Sequence, residues 1–334
     1  MSRADRRATL ADVAAEAGVS TALVSIVMRE APGASAETRR RVLAVADALG
    51  YHPDSRARLL RSGRSRLLGV VFGVQHAFHG DLVTGLYTAA EQIGYELTLS
   101  AVTPQRDESR AVAGLLQDRC EALILLGPQA PERELVRLAG RLPVIVLSRG
   151  VRDRAVDVVR NAEAEGVHQA VDHLVALGHH RIAHVDGGHA PGATERRRGY
   201  HDAMGRHGLA GSARVTPGGL TEEDGATAAR ALLADPPSAV CVFNDRCATG
   251  LLDVVRRAGL TVPGDLSVVG YDDSRLARLA HVDLTTVAQD ATAMTALAVA
   301  RAVDRIAGTP VRPREVIVHP HLVIRGTTGP ATRP

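Results

Sequence analysis

Apolar positions in the N-terminal part of the chain recur at helical spacing in three short runs. In the first, Leu10, Val13, Ala14 and Ala17 form one stripe. Thr9 precedes it as a cap, with Asp12 as its capping-box partner. Gly18 follows the stripe, where a left-handed backbone costs glycine least. Ser20 caps a second run, on which Val24, Val27 and Met28 share a face. Thr21, Ala22, Ser25, Ile26 and Arg29 fall on the opposite, exposed face. Ser35 caps a third run through Glu37, Val42, Leu43 and Ala46 to Leu49, and Gly50 ends it. Two short helices joined by a tight turn fit the unit that lays one helix in the DNA major groove. The plainer alternative is a helical hairpin inside a larger core.

Tyr51-His52-Pro53 breaks this pattern, and an arginine-rich segment, 54–66, follows. From residue 67 apolar strand-like runs alternate with helical stretches. Strands are expected at 67–74, 96–101, 122–126, 144–147, 182–185, 239–243 and 266–269. Helices are expected at 82–93, 109–117, 133–138, 164–177, 196–207, 223–233 and 248–258. Such alternation implies parallel sheets covered on both faces. Two units in tandem imply two similar α/β subdomains, with ligand sites at the carboxyl ends of the strands.

Charge sharpens the N-terminal reading. Residues 1–66 hold twelve Arg against seven Asp and Glu, a net of +5, whereas the whole chain is +3 and the remainder therefore −2. Positive charge concentrated on one small module suits phosphate contact. All 40 basic residues are Arg, which reflects nucleotide bias rather than function. At 334 residues the chain can bury large cores, and no apolar run approaches a membrane span. Residues 1–7 lack the apolar centre of a signal peptide, so the cytoplasm is the expected location. Cys120, Cys241 and Cys247 form no Cys-x-x-Cys pair and are expected to be reduced and buried.

Several segments together carry a resemblance. They are the Thr9–Arg29 stretch, Ser35-Ala36-Glu37-Thr38-Arg39, Leu49-Gly50-Tyr51-His52-Pro53, Ala176-Leu177-Gly178-His179-His180-Arg181-Ile182, Val268-Val269-Gly270-Tyr271-Asp272-Asp273 and Leu284-Thr285-Thr286-Val287. In this order the chain resembles the lac repressor/galactose repressor (LacI/GalR) family over about residues 8–328. The resemblance implies an N-terminal all-α helix–turn–helix headpiece with hinge helix, then an α/β periplasmic-binding-protein-like core of two parallel-sheet subdomains. The implied bounds are 1–53 for the headpiece, 54–66 for the hinge and 67–334 for the core. Within the core, subdomain one takes about 67–159 plus 290–318, and subdomain two about 160–289 plus 319–334. Crossovers are expected near Val158–Asn161, Thr286–Asp290 and Val318–Val323. Such regulators work as homodimers, sometimes tetramers, on a pseudo-palindromic double-stranded operator.

By motif, Thr9, Ser20 and Arg29 are implied to touch phosphates, and Thr21, Ala22, Ser25 and Ile26 to face bases. Tyr51, Arg56, Ala57 and Leu60 complete the implied DNA contacts, Leu60 as a minor-groove wedge. The implied effector set is Gln75, Phe78, Ser148, Arg149, Arg196, Leu220, Asn244, Asp272 and Gln289. Arg196 would fork toward ligand oxygens, and Asp272 would accept hydroxyl hydrogens.

Departures from the family pattern stand at Ile26, where Arg is frequent, and at Asp54, where Asn is usual. Ile26 either packs on a thymine methyl or rests on its own headpiece. Further departures are the loop Phe72–Phe78, Ser148 in place of a frequent Asp, and Leu220 in place of an aromatic residue. They leave open a sugar, a smaller, less polar or phosphorylated metabolite, and a degenerate pocket. Effector binding would act allosterically, through different affinities for two states. An exported solute-binding protein is disfavoured by the headpiece. An enzyme is disfavoured because neither a Gly-x-x-x-x-Gly-Lys loop nor a Gly-x-Ser-x-Gly elbow occurs. No cofactor and no metal site is implied, and no membrane partner.

Overall fold

A computed structural model describes residues 8–29, 31–51 and 64–332. The chain divides after Ser65 into a small N-terminal unit and a large C-terminal one. The N-terminal unit contains α1 (Leu10–Ala17), α2 (Thr21–Met28) and α3 (Ala36–Ala48). Its capping box forms as expected: the Thr9 amide donates to Asp12 Oδ2 at 2.8 Å, and the Asp12 amide to Thr9 Oγ1 at 3.4 Å. Gly18 is left-handed at φ +64°, and α2 leaves α1 at 106°, within the helix–turn–helix range. Ser20 and Ser35 each accept an amide of the following first turn at 3.2 Å. Val13, Val24, Val27 and Val42 form the buried centre. Arg39 on α3 donates to the carbonyls of Val27 at 3.3 Å and Ala31 at 2.8 Å. Its charge thereby holds the C-terminal end of α2, where a cation is favoured.

The C-terminal unit begins with β1 (Leu67–Gly73), α4 (Ala77–Gln92), β2 (Glu96–Val102), α5 (Glu108–Gln117), β3 (Ala122–Leu126), α6 (Glu132–Ala139), β4 (Val144–Leu147) and β5 (Asp157–Asn161). It continues with α7 (Glu163–Ala176), β6 (Ile182–Asp186), α8 (Ala193–Arg206), β7 (Arg214–Pro217), α9 (Glu222–Leu232), β8 (Ala239–Val242), α10 (Asp245–Arg257), β9 (Ser267–Asp272) and β10 (Thr285–Ala288). Last come α11 (Ala291–Ile306), β11 (Glu315–Val318) and β12 (His321–Val323).

Two six-stranded sheets result, ordered β11-β5-β4-β3-β1-β2 and β12-β10-β9-β8-β6-β7. Every strand pair is parallel except β10 with β12. The inner strands are continuously apolar, as burial on both faces requires; Ala122–Leu126 and Val144–Leu147 are buried throughout. Sheet one is covered by α4 and α11 on one face and by α5 and α6 on the other. Sheet two is covered by α9 and α10 opposite α7 and α8. The pair α9–α10 packs backbone to backbone: a Cβ on Gly225 would stand 1.8 Å from the Cys247 carbonyl oxygen.

The chain passes between sheets after Asn161, Ala288 and Val318. The segments expected to be crossovers are largely strands, and the passages occur at their ends. Helix α4 starts five residues before its expected first residue, Leu82. Helix α11 is a sixteen-residue element that the apolar pattern did not announce. Its buried face includes Thr295 and Arg301 among Met294, Ala298, Val299 and Ala302, so the stripe is interrupted. Asp157 on β5 supplies the compensation: Arg305 binds it at 2.6 and 3.0 Å, and Arg301 Nη1 lies 3.6 Å away. Cys120, Cys241 and Cys247 are buried and none is joined in a disulfide. Among the described residues no single helix is long and apolar enough to cross a membrane.

Candidate functional site

On α2 the exposed residues are Thr21, Ala22 and Arg29, with Ser25 and Ile26 half-buried. Ser20 and Thr9 are exposed but spend their hydroxyls on capping. Arg29 turns its Nε back to the Ser25 carbonyl at 2.9 Å. Ile26 lies beside the turn after α2, its Cγ2 3.7 Å and Cδ1 3.8 Å from where a Cβ would stand on Gly33. Tyr51 is half-buried and packs against the three-helix core rather than projecting freely. Arg56, Ala57 and Leu60 lie outside the described residues.

In the C-terminal unit the carboxyl ends of both sheets converge on one small cavity. Phe78, Ser148, Arg196, Leu220, Asn244, Asp272 and Gln289 line it together, joined by His76, His79, Glu163, Pro191 and Phe243. Two expected members lie elsewhere. Gln75 faces an adjoining cleft of about 600 Å³ at the ends of β1, β2 and β3. Arg149 is turned away because its Nη1 is tied to the carbonyls of Pro128 and Ala130, each at 2.7 Å. The inner cavity measures only about 40 Å³, room for one to a few waters. Ligand pockets for drug-sized molecules run roughly 300–1,000 Å³.

Arg196 organises the cavity. Its Nε donates to Glu163 Oε2 at 2.7 Å and its Nη1 to the Phe243 carbonyl at 2.5 Å. Its guanidinium carbon sits 3.5 Å from the Tyr271 ring centroid and 4.6 Å from that of Phe243, cation–π distances. Burial opposes its charge, but Glu163, Tyr271 and Asp272 outweigh burial and hold its pKa above the ordinary guanidinium range. Nη2 is left facing Asp272 Oδ1 at 3.9 Å. Burial raises the Asp272 pKa well above the usual carboxylate range, against the pull of Arg196. Gln289 donates to Asp272 at 2.6 Å and accepts from Asn161 Nδ2. A polar chain, Asn161–Gln289–Asp272–Arg196–Glu163, therefore crosses from one sheet to the other.

Two lining residues carry backbone strain. Ser148 ends β4 at φ +60° and Asp272 ends β9 at φ +114°, values unusual for side-chain-bearing residues and common at binding sites. Ser148 Oγ and Asn161 Oδ1 are buried without a partner, so each holds unspent hydrogen-bonding capacity. Asn244 is committed: it caps α10 through Cys247 N at 2.7 Å and donates to the Leu220 carbonyl at 3.2 Å. His76 stacks on His79 with ring centroids 4.4 Å apart. The Gly73 amide donates to His79 Nδ1 at 3.0 Å. Burial, with His76 beside it, pushes His79 down to about 3, so it stays neutral.

Residues 9–54 match the family described as bacterial regulatory proteins, lacI family, and residues 171–328 match the periplasmic binding protein-like domain. The regulator reg1 of Streptomyces lividans is 33% identical over 347 residues, covering 96% of this chain and 97% of that protein. The HTH-type transcriptional regulator GalR of Escherichia coli is 32% identical over 290 residues, 84% of each. The chain belongs to the lacI family of bacterial regulatory proteins.

Among solved structures, the lac repressor dimer bound to operator and the anti-inducer ONPF is 29% identical, with a TM-score of 0.81 over 97% of this chain and all of that one. A LacI regulator from a Rhodococcus species is 52% identical with a TM-score of 0.77, covering 79% of this chain and 99% of that one. Within this lacI-family chain, Glu163, His76, His79 and Asn161 were not foreseen as site residues. Glu163 and Asn161 flank a crossover; the need of a buried Arg196 for a counter-charge would have pointed to a carboxylate such as Glu163, but nothing local marks Asn161, whose partner is Gln289. His76 lies in the loop whose departure from the family pattern was noted, and His79 follows it in the first turn of α4.

Proposed function

We infer that this regulator is a repressor that binds a pseudo-palindromic operator as a homodimer and responds to a small polar metabolite held between the two sheets. The reading rests on one conjunction: a capped helix–turn–helix and a two-sheet core whose strand ends meet on a strained, buried polar cluster. The phosphate-positioning contacts belong to Thr9, Ser20 and Arg29 with the α2 amino end, where amides and the helix dipole favour anions. Base contact belongs to Thr21, Ala22, Ser25 and Ile26. Phe78, Ser148, Arg196, Leu220, Asn244, Asp272 and Gln289 form the effector set, and Gln75 meets ligand only from the outer cleft. The protein works in the cytoplasm and catalyses no reaction.

The small inner cavity favours one refinement. With Nε tied to Glu163 and Nη1 to the Phe243 carbonyl, Arg196 offers a ligand chiefly its Nη2 end, so full use of its fork requires the sheets to separate or Glu163 to yield. Sequence selection from random DNA followed by anisotropy titration tests the first half of the reading. Two half-sites related by two-fold symmetry are expected, and enrichment of asymmetric or random DNA contradicts it. Thermal-shift screening of sugars, polyols, nucleosides and their phosphates tests the second. A stabilising compound should also change operator affinity, because the coupling is reciprocal.

A further inference from the structure

The surface of α2 that meets bases divides into hydroxyl-bearing Thr21 and Ser25 and apolar Ala22 and Ile26. Ala22 and Ile26 stand one helical turn apart, so their side chains adjoin on one face. Ala22 is exposed and Ile26 half-buried. The Ser25 carbonyl beside them is occupied by Arg29 Nε at 2.9 Å. The turn after α2 runs beside Ile26. The Ile26 Cγ2 and Cδ1 lie 3.7 and 3.8 Å from the position a Cβ would take on Gly33, which stands at φ +122°. At that φ a larger residue is strained, so the turn presents bare backbone beside Ile26, whose apolar side chain stays part-exposed. Ala22, Ile26 and Gly33 thus form a small apolar ledge with no polar side chain.

The major-groove edge of a base pair offers one apolar group, the C5-methyl of thymine. We propose that the Ala22–Ile26 ledge is a receptor for a pyrimidine C5-methyl group, and that this methyl, not a hydrogen bond, selects the base at that operator position. The proposal rests on the reading that α2 enters the major groove. It carries a consequence hydrogen-bond readout would not have. 5-Methylcytosine presents the same methyl at the same place, whereas uracil and cytosine lack it. The headpiece therefore groups thymine with 5-methylcytosine and separates both from uracil.

The test uses the full-length protein and an operator first selected from random DNA. Each thymine is then replaced singly by uracil, which changes only the methyl, and binding is followed by anisotropy. At one symmetric position the replacement should weaken binding about fourfold per half-site, the worth of one buried carbon group. Putting 5-methylcytosine–guanine there should bind more tightly than unmodified cytosine–guanine by a similar factor. Ile26→Ala should erase both methyl effects, and Ile26→Arg should move the preference toward guanine. Uracil and thymine binding equally at every position would overturn the methyl receptor while leaving the regulator reading intact. Guanine dominating the position under Ile26 in the selected DNA would do the same. Failure to enrich any DNA would overturn the major-groove reading and the receptor with it. The uracil and 5-methylcytosine measurements use the unaltered protein, so they stand even if a variant misfolds.

Discussion

Arg196 and Glu163 meet at 2.7 Å with both side chains 5% exposed, the most deeply buried ion pair at the seam between the two sheets. A buried pair is costly to break, because the survivor is left charged in an apolar setting. Glu163→Ala should therefore destabilise the C-terminal unit by about 3–5 kcal/mol in urea unfolding. Replacing both partners together, as Glu163→Leu with Arg196→Met, should cost much less. Equal losses for the single and double replacements would show that the pair is not the source of the effect.

Titration of buried histidines sets an acid limit. His79 is depressed to about 3, first by burial and then by His76. Below its ordinary value of 6.5 the unfolded chain binds a proton that the folded chain refuses. Stability is thus complete above that value and lost as pH falls toward 3. His184, lowered to about 4 by burial, acts in the same direction. Asp245, raised to about 7 by burial, acts oppositely, its contribution fading as pH rises toward 7. Comparison of variants isolates the histidine. His79→Asn keeps an acceptor for the Gly73 amide and should lose about 2–3 kcal/mol less than the parent between pH 7 and pH 4.5. Parallel stability curves for the two proteins would contradict the assignment.

Close helix contact makes a third expectation. A Cβ at Gly225 would stand 1.8 Å from the Cys247 carbonyl oxygen, and one at Gly250 1.9 Å from that of Glu222. Alanine is the better helix former by about 1 kcal/mol, yet Gly225→Ala should lower stability by about 1–3 kcal/mol or more. The midpoint of thermal unfolding reads the sign directly, and an increase would show that α9 and α10 separate freely.

Residues 52–63 lie outside the described residues; we propose for Leu60 the minor-groove wedge role that the family resemblance implies. Leu60→Ala should weaken operator binding and leave unfolding of the C-terminal unit unchanged. Unaltered affinity on the selected operator would refute the wedge.

The headpiece was nearly complete in its sequence. Thr9, Ser20 and Ser35 cap helices because each hydroxyl needs only an amide three residues away. Gly18 ends α1 because the requirement for a left-handed residue is local. The inner strands were equally plain, since a strand buried on both faces must be apolar throughout. Where charge was compensated at a distance, the pattern failed. Helix α11 carries Arg301 and Arg305 toward Asp157, a residue 148 positions from Arg305, and local periodicity has no access to that partner.

The candidate site divides along the same line. Seven of the nine effector residues inferred from family motifs line one cavity, because motifs at strand ends keep their place in the fold. Arg149 does not, since its rotamer is chosen by carbonyls nineteen and twenty-one residues earlier. By itself the sequence determined the family, the capped helices and the alternation of strands and helices along the chain. Tertiary structure alone decided that Arg196 is already bound by Glu163, thirty-three residues away. It also decided that the turn at Gly33 runs beside Ile26. Both depend on which groups meet when separate elements pack, and a charge or methyl in a buried seam takes its role from the neighbours that replace water.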